Sequence, residues 1–200
     1  MKRILGVLAL FVLIGCGEDE IEAYKQKIIK QRKETNKEFL SDASPLEDED
    51  KKNFVGLNYY PVNTDFAFWA DYTIYEAPDT FVMPTTTERT ILMMKEGFLD
   101  FKINEIQCTL QVFYDVERFL QEGEKSYFVP FSDETSGFDT YGGGRYLEVD
   151  SLKDNNSKMW IDFNTIYNPY CAYNHNFSCP LPPKENHLNV KIEAGEMNFH

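Results

Sequence analysis

Two periods of apolar residues divide the chain into a helical segment and a longer region of strands. Between Glu18 and Leu40, apolar side chains recur at three- and four-residue steps, which indicates a helix with a narrow and weak apolar stripe. A polar segment that ends in Pro45 closes this helix, and from Phe54 onward the period changes to two, as in half-buried strands. The pattern predicts a tether with a helix over residues 16–45 and a β-rich domain over residues 46–200.

The helix carries a run of basic residues between Lys25 and Lys37. Two interpretations fit this run. The basic side chains could contact anionic lipid headgroups, or the helix could be a solvated spacer whose charges suit the helix dipole. The weak apolar stripe favours the solvated spacer.

Short strand candidates follow one another through the rest of the chain, separated by clusters of Gly, Pro, Asp and Asn. Residues 106–112 alternate apolar and polar side chains and place Cys108 in the buried phase. Residues 90–94 and 98–103 are predicted as two strands around a hairpin turn at Lys95-Glu96-Gly97. This arrangement predicts a mainly β fold, an antiparallel sandwich or barrel-like sheet with an N-terminal helix. Further strand candidates are residues 66–75, 127–131 and 187–192.

A polar sheet face is predicted from the segments Arg145–Asp150 and Met159–Asn164, which we interpret as a second hairpin. If their apolar side chains face the core, carboxylates, an amide and two aromatic rings share the other face. Such a set could bind a sugar, hold Ca²⁺ or supply an acid/base pair. An ordinary solvated face is the favoured alternative, and a one-residue slip in register would reverse the faces. The polar face comprises Tyr146, Glu148, Asp150, Trp160, Asp162 and Asn164.

The glycine run Tyr141-Gly-Gly-Gly-Arg145 precedes a predicted strand, and a dense polar loop leads into it. Consecutive glycines permit positive φ or a close backbone approach. Because they do not open a helix, the phosphate-binding interpretation of a glycine-rich loop fails. The loop with Arg145 could hold an anion, or it could cap a hairpin, which is the favoured interpretation.

Cys171 and Cys179 bracket a short loop that also contains His175. A disulfide is the favoured prediction, because an exported chain meets an oxidising environment. Three possible ligands at this spacing do not make a zinc site, so we predict no metal. None of the three histidines lies in a nucleophile motif, and the sequence predicts no cofactor.

The N-terminus indicates export and lipidation. A basic head, Met1-Lys2-Arg3, precedes an apolar stretch from Ile4 to Ile14 that is too short to span a bilayer. It fits a signal peptide over residues 1–15. The following L-I-G-C resembles a bacterial lipobox, which predicts that Cys16 is acylated and anchors the chain in a membrane. The alternative is a plain secretory signal.

Charge and composition narrow the location and the partners. The net charge of −13 argues against nucleic acid as a partner. The 30 aromatic residues (2 Trp, 12 Tyr and 16 Phe) exclude a chain that is disordered throughout. Gly17 follows Cys16, where retention in the inner membrane typically requires Asp, and Glu18-Asp19-Glu20 resembles a surface-export signal. We therefore expect an outer-membrane lipoprotein of the cell envelope, facing either the periplasm or the surface.

Several motifs together resemble a known family. F-V-P-F-S-D-E-T-S-G begins at Phe128, T-Y-G-G-G-R-Y-L at Thr140, and I-D-F-N-T-I-Y-N-P-Y-C-A-Y-N at Ile161. C-P-L-P-P-K-E-N follows at Cys179, and A-G-E ends at Glu196. They resemble the bacterial and archaeal domain-of-unknown-function family number 1684, for which the resemblance implies no activity. It implies shared motif positions at Asp133, Thr135, Gly137, Thr140, Tyr141, Gly144, Arg145, Tyr146, Asp162, Asn164, Asn168, Cys171, Cys179 and Asn186.

The leading functional hypothesis is a binding or structural module for a small polar or carbohydrate ligand. The polar residues cluster with glycine-rich backbone between Asp133 and Asn168. The alternative is a hydrolase that uses paired carboxylates such as Asp139 and Asp162. A purely structural envelope protein without a pocket is a third hypothesis. The ligand-binding candidates are Asp139, Tyr141, Arg145, Asp162, Asn164 and Asn168.

Overall fold

A computed structural model describes residues 16–149 and 157–200 of the chain. The predicted signal peptide and Asp150 lie outside these residues. Within these residues, three α-helices, α1 to α3, span Cys16–Glu38, Asp48–Asn53 and Val116–Glu122. The same two ranges contain seven strands, β1 to β7, which span Ala67–Pro84, Thr90–Ile103, Ile106–Asp115, Tyr127–Asp133, Arg145–Val149, Lys158–Asp162 and His187–Leu188.

The strands form one antiparallel sheet that curls into a half-barrel. Its order is β5-β4-β3-β2-β1-β6, and the short β7 pairs in parallel with β4. The prediction of a mainly antiparallel β fold with an N-terminal helix is confirmed. The predicted strand at residues 187–192 is shorter than expected, since only His187 and Leu188 pair with a neighbour.

The concave side of the half-barrel holds the main core. Leu99, Leu110 and Met159 come from three different strands and are fully buried there. Burying a side chain of this size contributes roughly 1.5–3 kcal/mol. Cys108 packs in the same core, as its position in the alternating pattern predicted.

The predicted hairpin turn at Lys95-Glu96-Gly97 is wrong, because these residues form a bulge within the single strand β2. The pairing of β2 with β3 shifts between Lys95 and Gly97. Gly97 is required by close packing, since a Cβ there would lie 2.2 Å from the backbone oxygen of Thr73. Glycine marks bulges as well as turns, so the sequence signal was ambiguous.

The predicted pairing of β5 with β6 is also wrong. These strands lie at opposite ends of the sheet order, where β5 pairs with β4 and β6 pairs with β1. The predicted inward side chains are nevertheless buried, including Leu147 and Ile161. Alternation fixes the face on which a residue lies, but it does not identify the partner strand.

Helix α1 is not the solvated spacer that its weak apolar stripe favoured. Ile28 is buried against the domain, and the Tyr24 hydroxyl donates to the carboxylate of Asp162 at 2.8 Å. Polar contacts of this kind are invisible to a hydrophobic pattern. No helix within residues 16–149 and 157–200 has the length and apolar character needed to cross a membrane.

Candidate functional site

A cleft of about 740 Å³ lies between α1 and the loops that follow β6. Residues of α1, among them Ile28 and Arg32, form its roof. The chain from Asn164 to Pro169 and the residue Glu196 form the opposite side, which we call the floor. Several aromatic side chains line its walls, including Phe39, Tyr59, Tyr146, Tyr167, Tyr170 and Phe177.

The carboxylate of Glu196 is the central polar group of the floor. Its side chain is 2% exposed and accepts hydrogen bonds from Asn168, through the backbone N–H at 3.1 Å and the side-chain Nδ2 at 3.1 Å. The hydroxyl of Tyr173 donates a further hydrogen bond to Oε1. All of these donors are neutral.

The environment of Glu196 disfavours its charged form. Burial raises the pKa of its carboxyl from the ordinary 4.5 to about 7, although its hydrogen bonds and the charge of Arg145 act in the opposite direction. Within residues 16–149 and 157–200, no basic side chain lies within 4.0 Å of this carboxylate. Arg145 instead donates to the backbone oxygen of Glu196 at 3.0 Å. At neutral pH the group is therefore poised between its protonated and ionised forms.

The backbone around Glu196 explains why the carboxylate reaches the floor. Gly195 has a positive φ of +70°, and a Cβ there would lie 2.2 Å from Cγ1 of Ile166. The N–H of Glu196 then donates to the oxygen of Ile166 at 3.1 Å. Only glycine at position 195 allows the two segments to approach this closely.

Asn168 is held in one orientation and retains an unused acceptor. Its Nδ2 donates to Glu196 and also to the backbone oxygen of Met197 at 2.8 Å. Its Oδ1 is buried and has no hydrogen-bond partner among the described residues. A buried amide oxygen without a donor is costly unless a ligand or water supplies one.

Arg32 connects helix α1, the roof of the cleft, to the floor by hydrogen bonds. Its guanidinium donates to the backbone oxygens of Tyr60 at 2.8 Å and Asn164 at 3.2 Å, and it lies 4.5 Å from the centroid of the Tyr59 ring. Asn164 completes the junction, because its Nδ2 donates to the Tyr24 hydroxyl at 2.9 Å. The polar side of α1 is thus bonded directly to the cleft.

Arg145 lies in the interior and does not contact the cleft. Its side chain is fully buried and forms an ion pair with Asp133 at 2.7 Å. Its other donors reach the backbone oxygens of Ile192 at 2.8 Å and Ala194 at 2.6 Å. With these donors occupied, Arg145 cross-links β5 to the C-terminal segment, and the anion site that was the less favoured interpretation of this loop is not formed.

The remaining ligand-binding candidates do not converge on one pocket. Asn164 and Asn168 line the cleft. Asp162 binds Tyr24 of α1, Asp139 is exposed in its loop, and Tyr141 lies elsewhere, with its hydroxyl 3.7 Å from Sγ of Cys171. None of these three side chains is part of the cleft lining.

The predicted disulfide is not present, because Cys171 and Cys179 are free thiols in this structure. Sγ of Cys179 accepts a hydrogen bond from the N–H of Cys171 at 3.1 Å instead. Burial raises the pKa of the Cys179 thiol to about 12, so it is protonated at neutral pH. In the described ranges, His, Cys, Asp and Glu form no cluster able to hold a metal ion.

Glu196 lines the cleft, but the sequence did not predict it as a site residue. It appeared among the sequence motifs only as the last letter of A-G-E. A glutamate that follows a glycine near the end of a chain normally indicates a solvated turn. Its burial depends on Ile166 and Tyr173, which are distant in sequence, so no local signal identifies it.

Comparisons with known proteins give a family and a fold but no activity. The pattern described as protein of unknown function (DUF1684) matches residues 52–197. An uncharacterized protein of Haloarcula marismortui, solved by solution NMR, is 32% identical with a TM-score of 0.67. That match covers 90% of this chain and 97% of the other. Ninety per cent of 200 residues exceeds the stretch from residue 52 to the end, so the likeness extends N-terminally into the helical region. No curated protein matches the chain.

Proposed function

Since the chain belongs to the DUF1684 family of proteins of unknown function, we propose a function from its own cleft: it is a binding module for a small polar or carbohydrate ligand. The observation that supports this most is a concave site with aromatic walls and a polar floor. Ligand pockets typically combine apolar and aromatic walls with a few convergent polar groups and a group of perturbed pKa.

The walls present both the faces and the edges of aromatic rings. Tyr146 and Tyr167 meet edge to face at 5.8 Å, and Tyr170 and Phe177 meet edge to face at 5.2 Å. Aromatic rings of this kind can stack on the apolar face of a sugar ring, while Oδ1 of Asn168 and the carboxylate of Glu196 on the floor accept hydrogen bonds from its hydroxyls. This combination suits a ring-shaped polar ligand.

Ligand-observed NMR with a panel of neutral saccharides and small amines tests the proposal. We expect at least one compound to bind, and we expect Tyr170→Ala, which removes a half-exposed wall of the cleft, to weaken its binding about tenfold. Phe138→Ala is the matched control, because Phe138 is an exposed aromatic residue outside the cleft. Equal losses in the two variants, or a panel in which nothing binds, would contradict the proposal.

A hydrolase that uses paired carboxylates is the second candidate, and the raised pKa of Glu196 favours it. A carboxyl that is protonated near neutral pH is suited to general acid catalysis. Glu148 lines the same cleft and is the carboxylate we would pair with it, in place of the expected Asp139 and Asp162. If chromogenic glycosides are hydrolysed, Glu196→Gln and Glu148→Gln should each lower the rate roughly 100-fold or more. If none of these substrates is hydrolysed, the hydrolase is excluded for them and the binding module remains the proposed function.

We also propose that the chain is an envelope lipoprotein anchored through Cys16. The support is the basic head, the short apolar stretch and the sequence L-I-G-C. Expression with an alkyne-labelled fatty acid should label the wild type and Cys108→Ser equally, and it should leave Cys16→Ser unlabelled. Labelled protein should then fractionate with the outer membrane. Label that persists in Cys16→Ser would exclude this anchor.

A further inference from the structure

We propose that the ligand of the cleft carries a protonated amino group, which is bound by Glu196 and Asn168. This inference rests on the binding function proposed above and specifies the ligand class for the same site. It is carried by the unbalanced charge of the cleft, by two acceptors on its floor and by the aromatic walls.

The cleft has more negative than positive side chains. Glu34, Glu38, Glu148 and Glu196 line it, whereas Arg32 is its one basic residue among those described. The guanidinium of Arg32 already donates to two backbone oxygens, at 2.8 and 3.2 Å. The surplus of carboxylates favours a cationic ligand over a neutral or anionic one.

Of two acceptors on the floor, one lacks a hydrogen-bond donor and the other lacks a cationic partner among the described residues. The carboxylate of Glu196 receives hydrogen bonds only from neutral groups, and Oδ1 of Asn168 receives none from the described residues. A buried carboxylate is normally paired with a cation. An ammonium group supplies both the positive charge and three N–H donors, and a hydroxyl supplies one donor without the charge.

The aromatic walls suit the same ligand. A cation over an aromatic face is stabilised by the ring quadrupole, and the effect is largest when the pair is removed from water. The protein itself provides an example at this site, because the guanidinium of Arg32 lies 4.5 Å from the centroid of the Tyr59 ring. Tyr170 and Phe177 remain to contact a cation that enters from outside.

Amine binding should also depend on pH. The groups that act on the Glu196 carboxyl are Tyr173, Tyr59, Asn168 and Arg145, and its pKa is raised to about 7 by burial. Burial keeps the pKa of both tyrosines above the ordinary value, so they remain neutral hydroxyls between pH 6 and 8. Glu196 is therefore the group that gains negative charge in this range. An amine that remains protonated should bind about tenfold more tightly at pH 8 than at pH 6.

Matched ligand pairs test the inference by calorimetric titration. We would compare 2-phenylethylamine with 2-phenylethanol and glucosamine with glucose, because each pair differs mainly in the charged nitrogen. In the wild type we expect the amine to bind at least about tenfold more tightly than its neutral partner. In Glu196→Gln we expect less than about threefold preference, and for 2-phenylethylamine, which stays protonated throughout, no rise in affinity between pH 6 and 8. Glu193→Gln, an exposed glutamate nearby, is the control and should behave as the wild type.

The outcomes separate this inference from the proposed function. Equal binding of amines and neutral partners, or a preference that survives Glu196→Gln in a folded protein, overturns the amine inference and leaves the binding module. An absence of binding by both pairs and by the saccharide panel overturns both. Near-ultraviolet circular dichroism of Glu196→Gln establishes that the variant is folded. If it is not, Asn168→Ala must show the same loss of amine preference for the inference to stand.

Discussion

Asp133 and Glu196 are two buried carboxylates that lie near the same arginine, yet their surroundings differ. Asp133 accepts a hydrogen bond from Nη2 of Arg145 at 2.7 Å, and its other oxygen accepts from Thr135. Glu196 offers Arg145 only its backbone oxygen, at 3.0 Å, while its carboxylate faces the cleft. In the described part of the chain, Asp133 therefore has a counter-ion and Glu196 has none.

This difference indicates which buried polar groups hold the fold together and which are available to a ligand. The Asp133–Arg145 pair has its charges balanced and is closed to solvent, so it can only stabilise or specify the fold. Glu196 has no counter-ion among the residues that the structure describes, and it lies on the floor of a cavity, where burial of its charge opposes folding. Such an uncompensated group is expected at a functional site. The following predictions test this distinction.

The largest effect is expected from Arg145→Met. This change leaves Asp133 buried without a counter-ion and frees the backbone oxygens of Ile192 and Ala194. We expect a loss of about 3–5 kcal/mol in the free energy of unfolding, measured by urea denaturation. Lys158→Met removes an exposed ion pair with Asp71 and should cost no more than about 1 kcal/mol. Similar losses of unfolding free energy in the two variants would show that the buried ion pair stabilises the fold no more than the exposed one.

Glu196→Gln should change how stability depends on pH. In the folded protein the Glu196 carboxyl holds its proton up to a pKa of about 7, whereas the ordinary value is 4.5. The folded state therefore binds more protons between these values, and rising pH lowers the stability of the wild type relative to the variant. The difference should reach about 3 kcal/mol by pH 8 and be small near pH 4. Parallel stability curves for the two proteins would refute the raised pKa.

Tyr24→Phe should have the smallest effect on stability. It tests whether α1 can detach from the cleft while the interior around Arg145 stays folded. The change removes the donor to Asp162 and the acceptor of Asn164. We expect docking of α1 to weaken by about 1 kcal/mol, so amides of α1 should exchange about fivefold faster with deuterium. The exchange rates of amides near Arg145 should not change. Gln26→Ala, on the exposed face of α1, is the control and should leave the exchange rates of α1 as in the wild type. Faster exchange throughout the domain would mean that the two regions are one unit.

The sequence predicted the fold class better than it predicted the pairing of strands. The alternation of apolar and polar residues placed Cys108, Leu147 and Met159 correctly in the core. A strand with one buried face has an apolar side chain at every second position, and this pattern is visible in the local sequence. Glycine at position 97 was interpreted as a turn, although it marks a bulge within β2. The partners of β5 and β6 depend on the curl of the whole sheet, which no local pattern contains.

The candidate site was predicted only in part. Asn164 and Asn168, two of the ligand-binding candidates, line the cleft, whereas Arg145 from the same motifs lies in the interior. Composition cannot distinguish these cases, because a buried ion pair and a ligand site use the same residue types. The role of α1 was missed because Tyr24 and Arg32 bind the domain through polar atoms.

The most direct test of the difference between Asp133 and Glu196 is an NMR titration of the carboxyl carbons with ¹³C-labelled glutamate and aspartate. The assignment comes from Glu196→Gln, whose spectrum lacks one glutamate signal. We predict that the Glu196 signal titrates with a pKa near 7, because burial raises it and the described residues supply no counter-ion. A pKa for Glu196 at or below its ordinary value of 4.5 would contradict the account.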